Sequence, residues 1–123
     1  MGLDMWLMKT KGGTPEEVHY WRKANQIREY FVSYHPELLA ENIEQLPVNL
    51  EMLTDLEQRI ERCLGRLDEA VSSQLLPTSS GFFFGSLEYD NYYYEELDAT
   101  LDAIKKAKEA LNDGYYVFYH EWW

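Results

Sequence analysis

The strongest periodic pattern in this sequence is an apolar stripe that follows Asn49. Its members recur at spacings of three and four residues, which places them on one face of an α-helix. The stripe consists of Leu53, Leu56, Ile60, Cys63 with Leu64, Leu67 and Val71. Because Asn49 is a favourable N-cap, we predict that an amphipathic helix begins there. Such a helix buries its apolar face only against other elements, so the rest of the chain has to complete a core.

Two further helices are predicted from their capping residues. The segment Thr14-Pro15-Glu16-Glu17 has the signature of a helix start, with a capping box between Thr14 and Glu17. The stripe after it runs through Tyr20, Ala24, Ile27, Phe31 and Tyr34, as far as His35-Pro36. Asp90 is the predicted N-cap of a third helix, which Asn112-Asp113-Gly114 ends. The stripe of that helix consists of Tyr94, Leu97, Leu101, Ile104 and Leu111.

Strand signals lie at both ends of the chain. Residues 3–9 alternate loosely in polarity, and residues 115–119 are rich in strand-forming side chains. An edge strand at Leu46-Pro47-Val48 is a further option, while residues 72–73 and 77–81 are predicted to be loop. We predict a single α+β domain over residues 1–123, in which three amphipathic helices pack with a small sheet of the N- and C-terminal strands. A helical bundle with a hairpin is the alternative architecture.

The charge balance excludes several functional classes. The 123 residues include 22 acidic and 11 basic side chains, which gives a net charge of −11. A surface this acidic repels phosphodiester backbones, so direct binding of DNA or RNA is not expected. The sequence has no apolar run of about eighteen residues, so no membrane span is predicted. Cys63 is the only cysteine, which rules out a disulfide framework within the chain and makes a cytoplasmic location the simplest expectation.

The histidines and carboxylates carry no clear catalytic or metal-binding pattern. His19, His35 and His120 lack the spacing of metal ligands and have no companion cysteine pair. Pairs of carboxylates are expected by chance in so acidic a chain. We therefore predict no metal, no cofactor and no catalytic residue, although an enzymatic role stays open as the less favoured option.

The most unusual segment is the glycine- and phenylalanine-rich stretch at residues 78–86. Glycines let a backbone approach a ligand closely, hydroxyls offer hydrogen bonds, and aromatic faces stack on planar rings. The predicted ligand-binding residues here are Thr78, Ser80, Gly81, Phe83, Gly85 and Ser86, followed by Tyr89 and Asp90. The alternative is a tight loop or short strand in which Phe82, Phe83 and Phe84 only fill the core.

Positive charge for an anionic ligand is confined to the N-terminal part of the chain. Residues 1–36 carry five basic and four acidic side chains, a net charge of +1. Residues 37–123 carry six basic and eighteen acidic side chains, a net charge of −12. Arg22 and Lys23, on the predicted first helix, are the best donors to a phosphate. The candidate ligand-binding residues in this segment are Trp21, Arg22, Lys23 and Asn25. The alternative is a solvated basic helix face.

Three motifs give the sequence a resemblance to a protein family. They are Met1-Gly2-Leu3-Asp4-Met5, the run Tyr20-Trp21-Arg22-Lys23-Ala24-Asn25, and the run Ser80-Gly81-Phe82-Phe83-Phe84-Gly85-Ser86. In these motifs the chain resembles an uncharacterised family of small acidic proteins of bacteriophages and prophages. The resemblance implies a phage accessory protein that acts in the cytoplasm of the host bacterium, and it implies no particular reaction.

Small phage accessory proteins commonly block host defence, which leads to two main hypotheses. In the first, the protein sequesters a nucleotide-derived immune signal, such as a cyclic nucleotide or an ADP-ribose derivative, with aromatic rings on the base and Arg22 on the phosphate. In the second, its acidic helices imitate nucleic-acid phosphates and occupy a basic groove on a host defence nuclease. Degradation of the signal, with Glu17, Glu88 or Asp90 as general base, ranks third. Trp122-Trp123 is either an anchor for a homo-oligomer or folds back on the core.

Overall fold

The computed structural model describes residues 2–81 and 84–123, whose four strands form one antiparallel sheet. The strands are β1 (Asp4–Thr10), β2 (Glu16–Arg22), β3 (Leu46–Pro47) and β4 (Tyr116–Trp122). The helices are α1 (Asn25–Val32), α2 (Leu50–Arg66), α3 (Glu69–Leu75) and α4 (Asn91–Asn112), with a 3-10 turn at Pro36–Leu38. The predicted α+β class is confirmed, and the N- and C-terminal strands pair as expected.

The strand order β2-β1-β4-β3 places β1 and β4 at the centre of the sheet. Trp6 of β1 lies opposite Tyr20 of β2 on one side and opposite His120 of β4 on the other. Leu46 and Pro47 pair with β4 at the sheet edge, which confirms the edge strand predicted there. A proline is tolerated at an edge because its missing N–H breaks no ladder hydrogen bond.

The helices pack against one face of the sheet. In β1 and just before it, Leu3, Met5 and Leu7 are fully buried, whereas the residues between them are only partly covered. In β4, Val117, Tyr119 and Glu121 are fully buried on the same face, and Phe118, which lies between the first two, is also buried at 8% exposure. Helix α4 contacts β1, β2 and β4 as well as α2, so it lies between the sheet and the second long helix. The core is therefore a layer between this sheet face and the helices.

The predicted first helix is wrong in its N-terminal half. Residues 16–22 form β2, and α1 begins only at Asn25. The turn at residues 11–14 has Gly12 at φ +101°, a backbone conformation that glycine adopts at no steric cost, and it returns the chain alongside β1. Pairing with β1 satisfies the backbone hydrogen-bonding groups of each strand that face the other, a larger gain than the capping box at Thr14 and Glu17 offers. The C-terminal half of the prediction holds, because Ile27 and Phe31 are buried in α1.

The two other predicted helices are confirmed at their starts. The Asn49 side chain accepts a hydrogen bond from Met52 N at 2.8 Å, and Asp90 accepts one from Tyr93 N at 3.1 Å. The α2 stripe ends sooner than predicted, because Leu67 has a left-handed φ of +50° and is exposed. Asp68 then caps α3, so residues 72–73 are helical and not loop. In α4 the fully buried tyrosine is Tyr93, whereas the predicted Tyr94 packs against the core but is only partly buried.

The structure describes part of the glycine- and phenylalanine-rich segment. Residues 77–81 form the predicted loop, and Phe84 is buried outside any strand. Phe82 and Phe83 lie outside the described residues. None of the helices in the described ranges combines the length and the apolar character that crossing a bilayer requires.

Candidate functional site

A cleft of about 420 Å³ opens where the end of β2 meets the loop before α4. Arg22 and Lys23 line it from the β2 side, and Gln26 lines it from α1. The loop contributes Thr78, Gly85, Ser86, Glu88 and Asp90. The first turns of α4 contribute Tyr92, Tyr93 and Glu96. We refer to this site as the Lys23 cleft. It joins the two segments that the sequence singled out, although Arg22 and Lys23 lie at a strand end and not on a helix.

Lys23 and Gly85 form a close approach between the two segments. Both have left-handed backbone conformations, with φ of +58° at Lys23 and +93° at Gly85. A Cβ atom on residue 85 would lie 3.0 Å from Lys23 Cβ, which is tighter than ordinary van der Waals contact. Glycine at position 85 therefore allows the loop to approach β2 and to form one wall of the cleft.

Asn25 holds the loop in place and leaves no side-chain group for a ligand. Its Nδ2 donates to Phe84 O and to Ser86 O, both at 3.0 Å, and its Oδ1 accepts from Ser79 N at 2.9 Å. The residue is buried, so these three bonds are shielded from water. Asn25 is thus a positioning residue for the glycine-rich loop.

Tyr89 supports the same loop from its other side. Its hydroxyl accepts a hydrogen bond from Thr78 N at 3.0 Å, and its ring packs on that of Tyr93 with a centroid distance of 5.0 Å. Tyr89 does not line the Lys23 cleft, whereas Thr78 does. Asp90 has two roles, because its side chain caps α4 and the residue also lines the cleft.

Trp21 lies away from the cleft. It is buried, and its Nε1 donates to Thr100 Oγ1 of α4 at 2.9 Å. Successive residues of a strand point to opposite faces, so Trp21 points into the core while Arg22 does not. Trp21 was expected to stack on a ligand ring because a helix was predicted where the structure has β2. In the strand, its ring is buried and does not reach the cleft. The aromatic ring that does line the cleft with an exposed face is Tyr92, which is 69% exposed.

Ser80 and Gly81 line a different cavity, of about 440 Å³, on the other side of the loop. Arg28, Phe84 and Trp123 also line that cavity. A Cβ atom on residue 81 would lie 2.3 Å from the Phe84 ring, so glycine is required for this packing. Phe83, the remaining predicted site residue, falls in the part of the chain that the structure does not describe.

Arg22 and Lys23 differ in how far their charges are already paired. Arg22 Nη1 lies 3.7 Å from Asp4 Oδ1, and the Arg22 side chain is 57% exposed. Asp4 is shared, because the Tyr20 hydroxyl also hydrogen-bonds to it. Lys23 makes no ion pair with any residue in the described ranges. Lys23 is therefore the cation with most freedom to meet an anionic group in the cleft.

Glu96 is the site residue that the sequence reasoning missed. It is partly buried, and burial raises the pKa of its carboxyl to about 7; the negative charge of Asp90 acts in the same direction. Gln26 Nε2 donates to Glu96 Oε1 at 3.4 Å, a weak hydrogen bond that opposes the shift. The α-helical period places residue 96 on the same face as Tyr92 and Tyr93, which was a usable signal.

The chemistry of the Lys23 cleft is therefore mixed. Its lining residues include two cations, Arg22 and Lys23, two hydroxyl-bearing residues, Thr78 and Ser86, and three carboxyl groups, of Glu88, Asp90 and Glu96. Such a cleft matches a ligand that carries an anionic group at one end and hydroxyl or amino groups at the other.

No protein-family model matches this chain, and neither curated proteins nor solved structures include a match to it. The geometry and charges of the Lys23 cleft are therefore the basis for assigning a function.

Proposed function

We propose that this protein binds a nucleotide-derived small molecule in the Lys23 cleft and acts by sequestering it. The carrying observation is that Lys23 and Arg22 line one cleft together with Thr78 and Ser86. A volume of about 420 Å³ suits a small molecule, since such sites span roughly 300–1,000 Å³. Together with the resemblance to phage proteins, this supports a role against a host immune signal in the bacterial cytoplasm.

The distribution of charge in the cleft favours one kind of nucleotide. A phosphate at Lys23 and Arg22 gains charge-assisted hydrogen bonds. The carboxylates of Glu88 and Asp90 would repel further phosphates, but they accept hydrogen bonds from ribose hydroxyls. The exposed ring of Tyr92 offers a face for a base. The cleft is therefore better matched to an ADP-ribose derivative or a cyclic nucleotide than to a nucleoside triphosphate.

A thermal-shift screen with cyclic nucleotides and ADP-ribose derivatives tests the binding claim. A ligand at 100 times its Kd stabilises a protein by about 2.7 kcal/mol, which is a measurable rise in Tm. We expect Lys23→Ala to abolish the rise and Arg22→Ala to reduce it. Lys105→Ala is the matched control, because Lys105 is exposed on α4 and does not line the cleft. The absence of any shift at saturating ligand would exclude the proposal.

Mass spectrometry then separates sequestration from degradation. The protein is incubated with the stabilising compound and then denatured, and the molecular mass of the released compound is measured. Recovery of the unchanged compound supports sequestration. A product that forms with the wild-type protein, and not with Glu88→Gln or Asp90→Asn, would instead support the enzymatic hypothesis.

Imitation of nucleic acid is the second candidate, and one surface favours it. Glu95, Asp98 and Asp102 are exposed on α4 at spacings of three and four residues. Within the described residues, Asp102 alone among them pairs with a lysine, Lys106 at 3.1 Å. They form a row of negative charge that a basic groove would attract. Binding to a defence nuclease should then weaken steeply with salt, and a salt-insensitive complex would argue against imitation.

A further inference from the structure

The face of the sheet that points away from the helices carries a layer of aromatic and apolar side chains. Trp6 is at its centre, with ring-centroid distances of 5.6 Å to Tyr20 and 5.2 Å to His120. Alternation along β1 and β4 places Met8, Phe118 and Trp122 on this face as well. We refer to these six residues as the aromatic sheet face.

Several of these rings are exposed to solvent. Trp122 is 65% exposed, and Tyr20 is 40% exposed. Trp123 behaves differently, because it turns back to pack on Phe84 with a centroid distance of 5.4 Å. Of the two options considered for Trp122-Trp123, Trp123 folds back toward the core. Trp122 lies on the aromatic sheet face, where it could anchor an oligomer. Contiguous exposed apolar surface of this kind marks an interaction site.

The aromatic sheet face is nearly neutral in a chain with a net charge of −11. Among the charged residues beside it, Asp4 and Arg22 lie 3.7 Å apart and offset each other, and Glu17, which pairs with Met8, adds one negative charge. The carboxylates of α2 and α4 lie beyond the opposite face of the sheet, about 10 Å away, which exceeds the Debye length of about 8 Å at physiological salt. Two copies of this chain therefore repel each other least when these faces meet.

We propose that the protein forms a twofold symmetric dimer through the aromatic sheet face. A twofold interface brings the same patch of each copy together, so it has to be self-complementary, and a nearly neutral aromatic layer can meet that condition. A buried aromatic side chain covers about 150–250 Å², so the exposed fractions of Trp122, Tyr20 and neighbouring Tyr116 amount to about 300 Å². Trp6, Met8 and His120 extend this toward the roughly 800 Å² that each partner of a stable complex buries.

Sedimentation equilibrium of the full chain over a range of concentrations tests the dimer. We expect a species of twice the 14.6 kDa chain mass. The dimer should become tighter with added salt, because salt screens the repulsion between the net negative charges of the two copies. A monomer at every concentration would overturn the proposal and would leave an apolar partner protein as the occupant of this face. A dimer that dissociates in high salt would also overturn it, because an apolar interface does not depend on ionic attraction.

A pair of matched variants locates the interface. Trp122→Glu adds a charge at an exposed position of the aromatic sheet face and should raise the dimer Kd by at least about tenfold. Leu50→Glu adds the same charge to an exposed residue at the start of α2 and should leave the Kd unchanged. Circular dichroism checks that both variants fold. Equal Kd values for the two variants would place the interface elsewhere and overturn the proposal.

Discussion

Glu121 and Glu96 are two carboxylates shielded from bulk solvent, and they differ in how well the fold satisfies them with hydrogen bonds. Glu121 accepts hydrogen bonds from Arg28 Nε at 2.8 Å and from the Tyr119 hydroxyl at 2.7 Å. It also accepts from Trp123 Nε1 at 2.9 Å and from Ile43 N at 3.3 Å. Within the described residues, the Glu96 carboxylate has only the weak hydrogen bond from Gln26 at 3.4 Å.

This difference in hydrogen bonding distinguishes a charged pair that stabilises the fold from a carboxyl group that is available to a ligand. Glu121 and Arg28 are fully buried, and Arg28 Nη2 also donates to two backbone carbonyls, of Leu39 and Glu41, at 3.1 Å. This cluster links α1, β4 and the segment before β3. Glu96, by contrast, borders an open cleft whose cations do not pair with it. A polar group that the fold leaves poorly satisfied is a better indicator of function than one that it satisfies completely.

The largest expected effect comes from breaking the satisfied cluster. Arg28→Ala leaves Glu121 buried without its cation, which should cost about 3–5 kcal/mol of unfolding free energy in a urea titration. Replacing both partners, as in Arg28→Met with Glu121→Leu, should recover part of the loss, because no buried charge is then unpaired. A loss below about 1 kcal/mol for the single variant would contradict the structural role of this pair.

A smaller effect is expected at the junction between the core and the Lys23 cleft. Asn25→Ala removes three buried or partly buried hydrogen bonds to the glycine-rich loop and should cost about 2 kcal/mol of unfolding free energy. Because the loop forms a cleft wall, the ligand-induced rise in Tm should fall as well. The exposed Asn91→Ala serves as control and should change neither quantity. Weaker stability with unchanged ligand binding would show that the loop is not part of the site.

The smallest stability effect is expected at Glu96, and it depends on pH. A folded-state pKa of about 7, above the usual 4.5, makes Glu96 stabilising below its unfolded pKa, a contribution that is lost as the pH rises through 7. Glu96→Gln should therefore raise the unfolding free energy near pH 8 by about 1–2 kcal/mol after solvent screening, and leave it unchanged near pH 4. Urea titrations at both pH values measure this. Asp98→Asn, an exposed control, should show no such pH dependence, and a Glu96→Gln effect equal at both pH values would refute the burial argument.

Local sequence signals predicted most of the helices and the central strands. Asn49 and Asp90 cap α2 and α4 through their own side chains, so a capping signal within four residues was sufficient. The strand β2 was missed because its stability comes from pairing with β1, which a helical capping signal at Thr14 obscures. The misplacement of Trp21 follows from that error.

The candidate site was predictable in part. Lys23, Thr78, Gly85 and Ser86 do line one cleft, because a glycine at position 85 permits contact between segments about sixty residues apart in the chain. The roles of Asn25 and Glu96 depend on which groups surround them in three dimensions. The spacing of residues in the sequence cannot show that the Asn25 side chain is fully hydrogen-bonded or that the Glu96 carboxyl is not.

An NMR titration of the amide resonances tests the central claim most directly, which is that the Lys23 cleft is the binding site. The titrant is the cyclic nucleotide or ADP-ribose derivative that stabilises the protein most. We predict that the largest shifts occur at Lys23, Gly85 and Ser86, and that Lys23→Ala removes them while Lys105→Ala does not. Shifts concentrated elsewhere, or shifts that survive Lys23→Ala unchanged, would contradict the account.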